Sequence, residues 1–265
     1  MRIFDVHHHV GSRLDVSYDP SLEEKIQNHV ERLDEYGITS GAVMPSPTFP
    51  NTNGIEDTRS MNDDMATVKD DYGDRFPVAF GTVDPWYGEE GLYEIDRTLE
   101  TLELDGMMWH NRYQRMAADA EMMKRLVARV VDHGGVVVLH AYAGAELTSP
   151  WRVLNVAESF PQGQFVVVDI FSSLTQTEMV AKLSSNFGLY NVWFDISLPF
   201  NLPRQIRPFK EAIGVDKLLF GMDSYSDSDE PDTTLPMEQF DAAELTDAER
   251  RAILYENAAE LFNLT

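Results

Sequence analysis

Eight short apolar, β-branched runs recur along the chain, each followed by an amphipathic stretch, and this alternation constrains the fold more than any other feature. The runs are residues 2–6 (RIFDV), 40–44 (SGAVM), 76–83 (FPVAFGTV), 106–110 (GMMWH), 135–141 (GVVVLHA), 164–169 (QFVVVD), 191–196 (NVWFDI) and 217–222 (KLLFGM). Several are almost wholly apolar, as strands covered on both faces must be. Helical spacing marks 59–72, 89–104, 117–132, 150–159, 174–186, 203–213 and 247–262. Ser21 with Glu24 makes a capping box ahead of Leu22, Ile26, Val30 and Leu33, and Gly37 is a stop signal; Thr246 with Glu249 makes a second box. Strands alternating with helices predict an α/β fold, a (β/α)8 TIM barrel of parallel strands, as a single domain over 1–265. A doubly wound open sheet is the alternative, but it usually has fewer strands and places its ligand at a switch point.

Barrel enzymes keep their chemistry at the C-terminal ends of the strands. The first run leads into Asp5, His7 and His9, which strict alternation puts on one face, with His8 turned toward the helices. The fifth ends in His140 after four aliphatic residues, and the eighth is followed at once by Asp223. An imidazole after such a run is costly unless something binds it. A lone buried histidine is more often a hydrogen-bonded core residue, and a lone aspartate a helix cap. Four such groups at the ends of three strands instead make the ligand set of one divalent metal: His7, His9, His140 and Asp223. With no cysteine in the chain, thiolate ligands and disulfides are excluded. Zinc is the first expectation, and manganese the second because a carboxylate contributes. Such an ion lowers the pKa of a bound water, and Asp223 could take its proton as general base.

FDVHHHVG resembles the opening D-x-H-x-H signature of the amidohydrolase superfamily, specifically its amidohydrolase-related branch. That branch includes aminocarboxymuconate-semialdehyde decarboxylase, resorcylate-type decarboxylases and lactone hydrolases. AFGTVDP resembles its third strand, VVVLHA its fifth, LLFGMDS its eighth, and ILYENAAELFNLT its closing helix, with Asn257 in the usual place. The resemblance implies the same four metal ligands. Strand six departs from it: Asp169, expected on the face of Val167, stands where the family carries a histidine. It could be an oxygen ligand, hold the water, or orient a cationic group, or it could simply cap the next helix. Strand four departs too. Met108 stands where many hydrolytic relatives have lysine, which argues against a carboxylated-lysine bridge and for one metal. His110 remains, as a pocket acid–base group or as a rim histidine packed on Trp109 or Tyr113.

Residues facing a substrate are expected among Trp86 and Tyr87, Arg112, Tyr142 and Phe171. Arg112 could fork onto a carboxylate, with a surface ion pair as the plain alternative. The Pro- and Asn-rich stretch 45–58 could cover the site, and the acidic stretch 224–236 reads as a solvated loop. The formal net charge of −24 argues against nucleic acid or anionic membranes as partners and leaves a small-molecule substrate. It also suggests adaptation to high salt, where screening relieves self-repulsion. No apolar run could span a membrane and no signal-peptide pattern opens the chain, so a cytoplasmic location is expected. A homo-oligomer through apolar barrel-bottom or helix faces is compatible with the pattern.

The function expected from these features is metal-dependent hydrolysis: a metal-activated water attacks an amide, lactone or ester carbonyl, with Asp169 and His110 tuning the pocket. The alternative is a lyase that decarboxylates or hydrates a carboxylated substrate; a non-catalytic metal-binding barrel is a third reading. The aspartate at 169 leans the expectation toward hydrolysis. No G-x-S-x-G, P-loop, dinucleotide or H-E-x-x-H motif competes.

Overall fold

A computed structural model describes residues 1–13, 17, 20–47, 52–142, 144–227 and 235–264. Its sheet contains β1 (Phe4–Val10), β2 (Ser40–Pro45), β3 (Val78–Thr82), β4 (Gly106–Trp109), β5 (Val136–His140), β6 (Gln164–Val168), β7 (Val192–Asp195), β8 (Leu218–Leu219) and β9 (Ser224–Tyr225). All pairings are parallel, in the order β8-β7-β6-β5-β4-β3-β2-β1-β9. Each expected run is therefore a strand, but the eighth is broken in two. β8 pairs with β7, and β9, five residues on, pairs with β1 through His8–Ser224 and His9–Tyr225. Val6 N–H also donates to Phe220 O at 3.0 Å. One passage of chain thus touches both ends of the strand series, and the sheet curls in a barrel-like way. The break comes where Asp223 takes φ 54, a left-handed conformation that an unbroken strand does not admit.

The helices are α1 (Leu22–Glu35), α2 (Ile55–Asp71), α3 (Glu89–Asp96), α4 (Asn111–Gln114), α5 (Glu121–Asp132), α6 (Pro150–Ser159), α7 (Leu174–Phe187), α8 (Leu202–Ala212), α9 (Leu235–Ala242), α10 (Asp247–Arg251) and α11 (Asn257–Phe262). Both capping boxes form, and Gly37 takes φ 65 just past α1. The helix expected over 247–262 is α10 and α11 joined by a π turn at Ala252–Glu256. The acidic stretch 224–236 is not simply a solvated loop. Ser224, Tyr225 and Ser226 are buried, and α9 starts at 235, while 228–234 lie outside the described residues. None of the helices in the described residues is long and apolar enough to cross a membrane.

Two buried clusters divide the strands by parity. Phe4, Val6, Ala42, Met44, Val78, Phe80, Met108, Val136, Val138, Val166, Val168, Trp193 and Leu219 pack together inside the curl, closed by Ala258 and Leu261 of α11. Their neighbours Val43, Ala79, Met107, Val137, Leu139, Val167, Phe194 and Leu218 pack outward against the helices. Each side of the sheet is thus apolar, which is why the runs read as continuous rather than alternating.

That parity corrects two expectations. Phe4 and Val6 face inward, so simple alternation would send His7 and His9 outward. Between Asp5 and His8, β1 carries one more residue than β2 does between Gly41 and Val43. A bulge of this kind re-aims the side chains beyond it. Here it turns His7 and His9 into the curl and leaves Asp5 and His8 together on the other side, with His8 Nε2 3.0 Å from Asp5 Oδ2 and His8 Nδ1 3.2 Å from His29 Nδ1 of α1. Val167 likewise faces the helices, so Asp169 does not reach the site by sharing its face. Its backbone, at φ 67, swings it there.

Candidate metal centre

His7 lies in the β1 bulge and His9 just beyond it, His140 ends β5, and Asp223 lies between β8 and β9. His7 Nε2 is 3.0 Å from His9 Nε2, and His9 Nε2 is 3.2 Å from His140 Nε2. Asp223 Oδ1 stands 3.3 Å from His7 Nε2 and 3.7 Å from His9 Nε2. All four expected ligands are therefore brought together, and all are buried. Asp169 joins them: its carboxylate groups with His7 and Asp223 within 4.8 Å, and its Oδ1 is buried with no hydrogen-bond partner among the described residues.

The ring nitrogens on the far side define the state of the near ones. His9 Nδ1 is 2.9 Å from Pro45 O, and His140 Nδ1 is 3.0 Å from Trp109 O. A carbonyl only accepts, so each Nδ1 carries a hydrogen and donates it. Burial holds both rings well below the usual histidine range, so both are neutral. Their unprotonated Nε2 atoms then stand 3.2 Å apart with no hydrogen between them. Positive charge alongside relieves that contact, supplied by the His7 ring, whose Nε2 is 3.0 Å from His9 Nε2, or by a metal ion in its place. The spacing suits one: two tetrahedral zinc–nitrogen bonds of about 2.05 Å hold their nitrogens roughly 3.3 Å apart.

The local field points the same way. Burial opposes a charge on His7, but Asp223, Asp195 and Asp169 outweigh it and push its pKa up to about 10. Asp223 is itself pushed up to about 6, chiefly by burial, and Asp169 is raised well above the usual carboxylate range by burial and by Asp223. Carboxylates crowded into a dry pocket favour positive charge at its centre. The residues present thus fit a divalent ion held by His7, His9, His140 and Asp223, with the Asp169 carboxyl group beside it.

The remaining expected residues divide. His110 stacks on His140 (ring centroids 4.4 Å apart) and touches Tyr113 (4.3 Å), and burial lowers its pKa to about 3, so it is neutral at pH 7. Arg112 extends this cluster outward, 5.8 Å from the Tyr113 ring and 6.0 Å from the Tyr142 ring. Trp86 is 67% exposed, its indole N–H donating to Gln114 O. Phe171 does not belong with the converging imidazoles. It is fully buried and stacks on Phe209 of α8 within the outer core, because the short turn after Asp169 points it back into the helix layer. Of the expected cover at 45–58, Pro45 ends β2 and 55–58 open α2, while 48–51 lie outside the described residues.

Three residues at the site were not anticipated. Tyr225 stacks on His9 at 4.6 Å, and Arg13 reaches to 4.0 Å from Asp223 Oδ2. Asp195 ends β7 fully buried, its Oδ2 2.8 Å from His7 Nδ1. Its signal was available: NVWFDI puts a carboxylate at a strand end just as KLLFGMD does.

No curated protein matches the sequence. Solved structures with the same fold do. They include 2,6-dihydroxybenzoate decarboxylase from Rhizobium (TM-score 0.72, 16% identity, 99% of this chain and 98% of that one). A dihydroxybenzoic acid decarboxylase from Polaromonas sp. JS666, with bound manganese and the inhibitor 2-nitroresorcinol, gives 0.71 and 15%, over 99% and 97%. 4-Oxalomesaconate hydratase from Rhodopseudomonas palustris gives 0.64 and 16%, over 99% and 96%. A family model described as Amidohydrolase matches residues 4–264, and with nearly the whole sequence matched the chain belongs to the amidohydrolase family of enzymes.

Proposed function

We propose that this chain is a closed, single-domain (β/α)8 barrel enzyme that uses one divalent metal to decarboxylate a small carboxylated molecule. The observation that supports the metal reading is the convergence of three imidazole nitrogens and a carboxylate oxygen, with His9 Nε2 3.0 Å from His7 Nε2 and 3.2 Å from His140 Nε2, and Asp223 Oδ1 3.3 Å from His7 Nε2. In this reading His7, His9, His140 and Asp223 hold the ion. Three imidazoles favour zinc; Asp223, as an oxygen donor, would also suit manganese, the metal named with the Polaromonas relative. When bound, the ion supplies Lewis acidity toward a substrate oxygen.

The chain's own residues would do the rest. Arg112 presents a guanidinium fork to the substrate carboxylate, beside a wall of Tyr113, Tyr142 and the neutral His110, which suits a flat, conjugated body. Breaking the bond to the carboxylate releases CO2 and leaves the electron pair on carbon, which must take up a proton. Asp169, with its unpartnered buried oxygen, is placed to deliver it. Two of the relatives named above are hydroxybenzoate decarboxylases, whose substrates combine a ring and a carboxylate. The expectation of hydrolysis rests on Asp being a poor general acid at neutral pH unless its pKa is raised; burial and the neighbouring Asp223 raise that of Asp169 well above the usual carboxylate range, which supports its role as proton donor.

Hydrolysis of a lactone, amide or ester is the second reading. Asp223 favours it, since its oxygen, 3.3 Å from His7 Nε2, could accept the proton of an attacking water. Metal analysis of untagged protein, then mass spectrometry of products from hydroxybenzoates and from lactones, separates the two: CO2 loss supports the first and water uptake the second. Full turnover after metal stripping would defeat both.

A further inference from the structure

We propose that Asp195 is the positioning residue of this metal centre, one carboxylate that sets both the ring of His7 and the turn that carries Asp169. The inference rests on the reading that His7 is a ligand.

Asp195 ends β7 with no exposure to solvent. Its two oxygens have separate tasks. Oδ2 lies 2.8 Å from His7 Nδ1, and Oδ1 accepts the backbone N–H of Asp169 at 3.1 Å. Asp169 sits at φ 67, where a non-glycine residue persists only if its surroundings hold it. The hydrogen bond from its N–H is one such restraint. Space is also reserved for Asp195: Gly221 faces it, and a Cβ there would stand 2.7 Å from Oδ2.

A carboxylate can only accept, so beside it a neutral His7 must place its hydrogen on Nδ1. The Nε2 lone pair then points at His9 and Asp223, where an ion would bind. Carboxylate–histidine–metal arrangements fix ligand tautomer and orientation in this way, and losing the outer carboxylate typically costs about tenfold to a hundredfold in metal affinity. Asparagine would reverse the arrangement. The Asp169 N–H needs an acceptor, so the amide oxygen would turn to it and the amide NH2 would face His7 Nδ1. His7 would then carry its hydrogen on Nε2, in the place of the ion.

The test is Asp195→Asn, titrated with Zn2+ against a chromophoric chelator, with Co2+ absorption read in parallel and folding checked by circular dichroism. The expected result is a folded protein with zinc affinity lowered roughly tenfold to a hundredfold and a cobalt spectrum altered by loss of a nitrogen ligand. His140→Ala is the control. If it binds zinc as tightly as wild type, the metal reading itself fails. If His140→Ala weakens binding while Asp195→Asn leaves affinity and spectrum unchanged, only the role of Asp195 is overturned. Histidine 15N NMR of the zinc-loaded wild-type protein needs no variant: it should show His7 bound through Nε2 with a protonated Nδ1, and a metal-bound Nδ1 would overturn the proposal.

Discussion

Gly221 lies against Asp195 so closely that a Cβ at 221 would stand 2.7 Å from the carboxylate and 3.2 Å from the Cβ of His7. Neither neighbour can retreat, since both are buried and bonded to each other. Gly221→Ala should therefore destabilise the metal-free protein by about 1–3 kcal/mol, the usual cost of overpacking. Chemical denaturation measures it, and an unchanged midpoint would mean that this wall of the site is softer than its contacts indicate.

Ion loading should release protons. With its pKa raised to about 10, His7 is protonated at pH 7 when no metal is bound. The sign follows from the direction. The stability that this charge adds is fully present below the unfolded value of 6.5 and is lost as pH rises through about 10. An ion taking Nε2 must displace the proton, so apparent affinity should climb with pH across this window. A pH-indicator assay at pH 7 should record about one proton released per zinc bound at His7; none released would show that His7 is not displaced.

Arg112 should act on binding more than on chemistry. Removing a charge-assisted hydrogen bond to a carboxylate costs about 1.5–3 kcal/mol, so Arg112→Ala should raise KM roughly tenfold to a hundredfold with kcat little changed. A fall in kcat at constant KM would place Arg112 outside the binding role.

Salt should stabilise the fold. A net charge of −24 repels itself, and screening weakens that repulsion more than it weakens the short surface ion pairs such as Arg129–Asp96 and Arg207–Glu211. Thermal melts should move upward from low to molar KCl, and equal midpoints would remove the idea of adaptation to high salt.

Local residue patterns set the strand and helix series and most of the membership of the site. Periodicity and apolar runs report burial directly, because a buried strand or a helix face must be apolar wherever it ends up. So 136–140 and 164–168 were legible as strands, and His7, His9, His140 and Asp223 stood out as polar groups at apolar strand ends. Tertiary structure alone decided how these groups are aimed. Alternation would have turned His7 outward, and the one-residue bulge of β1 against β2 turned it in. Alternation also set Asp169 with Val167, yet a left-handed turn brought it to the site while Phe171, two residues on, went into the outer core. Asp195 and Tyr225 acquired their importance only from partners 188 and 216 positions away in the chain, His7 and His9. Bulges, positive φ values and long-range hydrogen bonds depend on what the neighbouring strand supplies, and no local pattern of residues encodes that.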